Sequence, residues 1–323
     1  MVKPFLRTVL GDVPVDNLGM ILPHEHIFTD LRGPRVPDYA WLGSGAVYDP
    51  AAVADAMLPL LQAANQAGVT ALVECSTIGV GRNVGVLRYV AERTPVQIVA
   101  PTGVYREAFI PVDLLDTSVE ALADDWIKDL TVGIDGSQVR AGFIKIAMSD
   151  DGPTPREVRN LKAAALASHA TGAAVASHTI HGGVARQEMD ILEASGMDLQ
   201  RFVWVHAHAE STPADRREAA RRGAWVELDA IGAPWLASPE VRGGPIVAMT
   251  LDLIEAGFTS QILLSHDAGW FQPGSPGGMP ADGMRGYTAL FEAFLPALRA
   301  QGVSGEIIRQ LVDENPKRAF GLS

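Results

Sequence analysis

The chain has 323 residues, 47% of them apolar, with a formal charge of −12 and a pI near 5.1. That acidity argues against nucleic acid and anionic membrane as partners. One cysteine, Cys75, excludes an intramolecular disulfide and fits a reducing cytoplasm.

The N-terminus has no secretory-type apolar stretch, since Arg7 and Asp12 interrupt it. Phe5 to Leu10 and Val13 to Val15 read as a short strand pair turning at Gly11-Asp12 and capping one end of the domain. A strand follows over 19 to 26, then a long proline- and glycine-rich loop over 31 to 49. Val53, Met57, Leu60, Leu61 and Ala64 form one apolar stripe, predicting a helix over 51 to 66 that Gly68 stops. Thr70 to Cys75 is a buried strand, 83 to 93 a helix and 97 to 102 a strand.

Thr117-Ser-Val-Glu120 reads as a capping box opening a helix to Leu130. Gly142 to Ala147 is a strand. Thr154-Pro155-Arg-Glu157 is a second capping box, on a helix that Gly172 ends. Ala173 to His178 is a strand and Gly183 to Ala194 a helix. The span Ala163 to Ala185 lacks Asp, Glu, Lys and Arg, but its histidines, glycines and hydroxyls suit helix, turn and strand rather than a membrane span. Phe202 to His206 is a strand, and Thr212-Pro213 opens a helix that Gly223 ends. Trp225 to Asp229 is a strand, 239 to 256 mostly helix, and Gln261 to Asp267 the last strand. A glycine- and proline-rich loop covers 268 to 284, and helices over 286 to 300 and 304 to 313 finish the chain.

Eight strands alternating with helices imply parallel pairing. In a chain of this length they predict one domain over 1–323, a (β/α)8 TIM barrel with a short N-terminal β-hairpin. No Gly-x-Gly-x-x-Gly follows the first strand, which disfavours an open doubly wound sheet.

Such a barrel presents its chemistry where the strands end at their C-termini. His24 and His26 end strand one and face the same way, while Glu25 faces the other. Strand five ends in His178, strand six in His206 and strand eight in Asp267. Lys145 lies within an apolar strand, where a charged lysine is costly. Burial favours a neutral amine, which can add carbon dioxide to become a carbamate. That anion could bridge two metals about 3.5–4 Å apart that share a hydroxide.

The segments His24-Glu-His26, Phe143-Ile-Lys145-Ile, Ser177-His178-Thr179, Arg201 to His206, Ser265-His-Asp267 and Asn315 to Phe320 span nearly the whole chain. In this order they resemble the phosphotriesterase family of the amidohydrolase superfamily. The resemblance implies that His24, His26 and Asp267 bind a buried metal, that His178 and His206 bind an exposed one, and that Lys145 is N6-carboxylated and bridges both. His208 could replace His206; His206 is preferred because it ends the apolar run and because its spacing to Gly223 and Asp229 looks like the family's. His266 should face away, His169 is structural, His181 is a solvated loop residue and Cys75 a packed thiol.

The expected reaction is hydrolysis of a small-molecule substrate, with hydroxide as nucleophile and Asp267 as general base. Tyr105, after strand three, resembles the lactonase branch, where phosphotriesterases carry tryptophan. Its hydroxyl could bond a lactone ring or the hydroxide. Leu228-Asp229 is followed by Ala230-Ile231-Gly232 rather than by arginine, which disfavours acyl-homoserine lactones. Trp270, Phe271 and Pro273 should wall the pocket, with Gly274, Gly277 and Gly278 lending mobility. Lactones or carboxylic esters are the expected substrates, phosphotriesters the alternative, and an inactive ligand-binding barrel the lesser one. The ligand set suits zinc, and also cobalt, manganese or iron. The resemblance further implies a homodimer.

Overall fold

The computed structural model describes residues 3–34, 49–234, 244–273 and 284–323. Most of the loop expected over 31 to 49, the start of the helix expected at 239, and the glycines at 274, 277 and 278 lie outside the described residues.

The chain opens with the hairpin β1 (Phe5–Thr8) and β2 (Gly11–Pro14), which turns at Val9-Leu10, two residues before the expected Gly11-Asp12. Then come β3 (Met20–Phe28), α1 (Pro50–Gln66), β4 (Val69–Glu74), α2 (Val84–Ala91), β5 (Gln97–Val99) and β6 (Pro101–Thr102). They are followed by α3 (Val119–Thr131), β7 (Phe143–Ala147), α4 (Pro155–Thr171), β8 (Val175–His178), α5 (Gly182–Ala194) and β9 (Phe202–Val205). The chain ends with α6 (Pro213–Arg221), β10 (Trp225–Leu228), α7 (Pro245–Glu255), β11 (Ile262–Leu264), β12 (Gly269–Phe271), α8 (Leu295–Ala300), α9 (Gly305–Arg309) and α10 (Asn315–Phe320).

The strands make a (β/α)8 barrel. The parallel ladder runs β3, β4, β5, resumes past Ala100 as β6, and continues through β7, β8, β9, β10 and β11. Strand eight is broken: β12 pairs with β3, placing Gly269 against His26. The break itself is bridged to strand one, since the Asp267 N–H donates to the His24 carbonyl at 3.2 Å and the His24 N–H to Ser265 Oγ at 3.1 Å. The register of β3 on β4 shifts between Leu22 and Glu25, across Pro23, which has no N–H to give the ladder.

Leu6, Ile21, Val73, Val99, Phe143, Val203, Leu263 and Phe320 fill the barrel interior. The outward strand residues pack against the helices' apolar faces, as Val53, Met57 and Leu61 of α1 do. Leu6 of the hairpin and Phe320 of α10 therefore plug the end away from the site.

Three local expectations differ from the structure. The cap of α3 is Ser118, accepting from the Ala121 N–H, so Thr117 and Glu120 do not form the expected box; the Thr154–Glu157 box is present. β12 lies inside the expected loop. The final helix runs past 313 to Phe320, and π turns over Leu290–Phe294 and Gln310–Glu314 precede Pro296 and Pro316. A proline ring crowds the carbonyl four residues back, and a widened turn relieves that clash.

Candidate metal centre

His24, His26, Tyr105, Lys145, His178, His206 and Asp267 line one cavity of about 70 Å³ at the C-terminal end of the strands, with Thr29, Leu31, Cys75, Val80 and Trp270. Ring centroids lie 5.4 Å apart for His24 and His26, 5.1 Å for His24 and His206, and 4.4 Å for His178 and His206. Oδ1 of Asp267 lies 3.1 Å from Nε2 of His26 and 3.6 Å from Nε2 of His24. Single ligand atoms from His24, His206 and Asp267 all fall within 4.8 Å of one another.

Backbone geometry aims these groups. Among the described residues, the non-glycine positions with positive φ are Asp135, His206 (65°), Asp267 (49°) and Trp270 (73°), and three of those four line this cavity. Such a conformation costs an L-residue roughly 1–3 kcal/mol and persists only where surroundings enforce it. Gly103 matters for a related reason: a Cβ there would overlap the carbonyl of Lys145.

The imidazoles are held from behind. Nδ1 of His24 lies 3.1 Å from Oε2 of Glu227 and 3.0 Å from Oδ2 of Asp229. Nδ1 of His206 bonds Oδ1 of Asp229 at 2.9 Å, and Nδ1 of His26 bonds Oγ of Ser76 at 2.8 Å, with Glu74 at 3.6 Å. Carboxylates behind an imidazole fix its tautomer and raise its basicity. Tyr105 places its hydroxyl 3.0 Å from Nδ1 of His178.

Charge in the cavity is unevenly shared. Burial, with the Lys145 charge, pushes His24 down to about 3, and burial with His206 and Lys145 lowers His178. Burial would lower His26 as well, but Asp267 and Glu74 outweigh it and lift His26 to about 9. Burial opposes ionisation of Asp267, yet the bond to His26 and the charges of His24 and His206 hold its carboxyl well below the usual range. Burial keeps the Tyr105 phenol neutral.

The site fits a cation. Lys145 is 2% exposed, and its Nζ has no hydrogen-bond partner among the described residues. An ionised Asp267 beside His24 and His178, whose imidazoles burial keeps neutral, supplies the deprotonated ligands that metals require. The raised His26 marks a spot where positive charge is favoured. Carbamylation would give the orphaned lysine nitrogen an anionic group with two donor oxygens.

Residues 4–320 match the sequence profile of the phosphotriesterase family. The chain belongs to that family. It is 30% identical to the phosphotriesterase homology protein of Escherichia coli K12 over 312 residues, 94% of this chain and 99% of that protein. It is 30% identical to the aryldialkylphosphatase of Saccharolobus solfataricus over 263 residues, 80% of this chain and 82% of that one. A solved structure from work on engineering organophosphate hydrolysis from a weak promiscuous lactonase superposes with a TM-score of 0.84 at 30% identity, covering 98% of this chain and all of that one.

Within this phosphotriesterase-family barrel the predicted site residues come together, and several neighbours were missed. His208 stays outside the cavity; its Nδ1 lies 2.9 Å from Asp229 but out of hydrogen-bond alignment. His266 faces away, bonding Glu25 through Nδ1 and accepting the Leu290 N–H at Nε2. His169 and His181 are exposed. Phe271 does not wall the pocket: it is buried and stacks on Phe28, leaving Trp270 to cover His26 at 4.7 Å. Glu74, Glu227 and Asp229 carried a usable signal, since acids in apolar strands are as costly as Lys145. Glu227 and Asp229 also share a face by strand alternation. No helix among the described residues is long and apolar enough to cross a membrane.

Proposed function

We propose that this protein is a metal-dependent hydrolase of lactones or carboxylic esters. The observation that carries the reading is the buried, unpartnered Lys145 amine among His24, His26, His178, His206 and Asp267. His24, His26 and Asp267 would hold one divalent cation and His178 and His206 the other. Lys145 would stand between them: its lone pair adds to carbon dioxide, the nitrogen loses a proton, and a carbamate anion results. The two ions, zinc or else cobalt, manganese or iron, would supply hydroxide from water near neutral pH and polarise the substrate's oxygen.

The protein's own groups do the rest. Asp267, ionised and 3.1 Å from His26, accepts the proton that the attacking water gives up. Asp229 and Glu227 keep His24 and His206 oriented. Tyr105, neutral and beside His178, offers a hydroxyl to the substrate's ring or ester oxygen. Leu31, Val80 and Trp270 present an apolar wall to the acyl or leaving group.

The likeness to the S. solfataricus aryldialkylphosphatase favours a second reading, phosphotriester hydrolysis by the same groups. An inactive binding barrel is disfavoured, because nothing would then retain a buried lysine without a partner. The family resemblance supports a homodimer, and the single cysteine a cytoplasmic setting. The test is kcat/KM on metal-replete protein for γ- and δ-lactones and aryl esters against an aryl dialkyl phosphate. The first reading predicts larger values for lactones or esters. A larger value for the phosphate establishes the second, and no turnover with no bound metal leaves only the binding barrel.

A further inference from the structure

The end of strand eight is bent into a hook. Asp267, Gly269 and Trp270 all have positive φ, at 49°, 92° and 73°. A hook with two non-glycine residues in that region needs outside support. Arg285 supplies it. Nη2 of Arg285 donates to the Asp267 carbonyl at 2.6 Å and to the His266 carbonyl at 3.0 Å. The Arg285 carbonyl accepts the Gly269 N–H at 3.0 Å. Trp270 adds an indole N–H to the same Asp267 carbonyl at 3.0 Å. Two residues on, Tyr287 donates its hydroxyl to the His26 carbonyl at 2.7 Å, so the strap also grips the strand carrying His24 and His26.

We propose that Arg285 is a positioning residue for Asp267. Its guanidinium clamps two consecutive carbonyls, holds Asp267 in the left-handed conformation, and so keeps the carboxylate on His24 and His26. Charge-assisted bonds from a planar, fixed donor group suit this task better than a flexible ammonium. Arg285 is not among the residues lining the cavity, so it acts on the site through the backbone of Asp267 and its neighbours. The proposal rests on the reading of Asp267 as metal ligand and proton acceptor.

The test uses full-length apoprotein titrated with Co(II), followed by visible absorption and bound-metal stoichiometry, alongside kcat and KM. Arg285→Ala should weaken Co(II) binding by roughly 10–100-fold and alter its spectrum, as losing a residue that orients a ligand does. It should lower kcat with KM within about twofold, and added guanidinium should restore part of both losses. Arg285→Lys, the gentler variant should Arg285→Ala fail to fold, should show the same changes at smaller size. In an Asp267→Asn background, Arg285→Lys should change Co(II) binding no further. Unchanged affinity, spectrum and kcat in Arg285→Lys, or losses that simply add to those of Asp267→Asn, overturn the proposal. Wild-type protein that takes up no Co(II) overturns the underlying metal-site reading instead.

Discussion

Oδ1 of Asp229 bonds Nδ1 of His206 at 2.9 Å, leaving the other ring nitrogen for the cavity. The other oxygen of the same carboxylate lies 3.0 Å from Nδ1 of His24, so one buried acid orients two candidate ligands. The charge and hydrogen bond of His206 outweigh the burial that would otherwise keep Asp229 protonated.

Asp229→Asn should therefore weaken metal binding by roughly 10–100-fold, since orienting partners of metal-bound imidazoles contribute on that scale. Equilibrium dialysis against a competing chelator measures it. An unchanged dissociation constant would mean that Asp229 serves the fold alone.

Lys145→Ala should bind fewer than two ions per chain, with kcat reduced at least ~100-fold, because no anion then links the two halves of the site. Short carboxylic acids, small enough to enter the vacated space, should restore part of both. Full metal content in the variant would show that Lys145 carries no bridging group.

How much of this was legible from the chain varies by element. The six ligand candidates could be read because each ends or interrupts an apolar run, and strand alternation fixes which side chains share a face. Their supporting acids sit in runs of the same kind, but what each one supports is set by pairing across strands. Glu25 illustrates this. Alternation turns it away from His24 and His26, but only the closed barrel reveals its role: it accepts from Ser265 Oγ, His266 N–H, His266 Nδ1 and Ala268 N–H. The hook at Asp267 and Trp270 was illegible because both are non-glycine residues at positive φ, and Arg285, which bonds the Asp267 carbonyl, lies 18 residues further along the chain.

Glu25→Ala should cost roughly 3–5 kcal/mol of stability, because it leaves buried donors on strand eight without acceptors. Denaturant unfolding of the metal-free protein checks this. A loss under about 1 kcal/mol would mean that strand eight closes on strand one without it.

Glu188 gives stability a pH dependence. Burial lifts its carboxyl to about 8, against 4.5 when exposed, with the Ser177 and Thr179 hydroxyls offsetting only part. The folded state thus holds the proton more tightly. The stabilisation is complete below 4.5 and is lost as pH climbs through about 8, at up to ~1.4 kcal/mol per pH unit. Glu188→Gln should flatten that decline in urea unfolding series between pH 5 and 8; an unaltered slope contradicts the assignment.

The most direct measurement is an anomalous-scattering density map of crystals grown metal-replete in the presence of bicarbonate. The account predicts two cation peaks, one by His24, His26 and Asp267 and one by His178 and His206, with continuous density from Lys145 Nζ ending in a carboxyl group between them. A bare Lys145 amine and no peak beside the four imidazoles would contradict it.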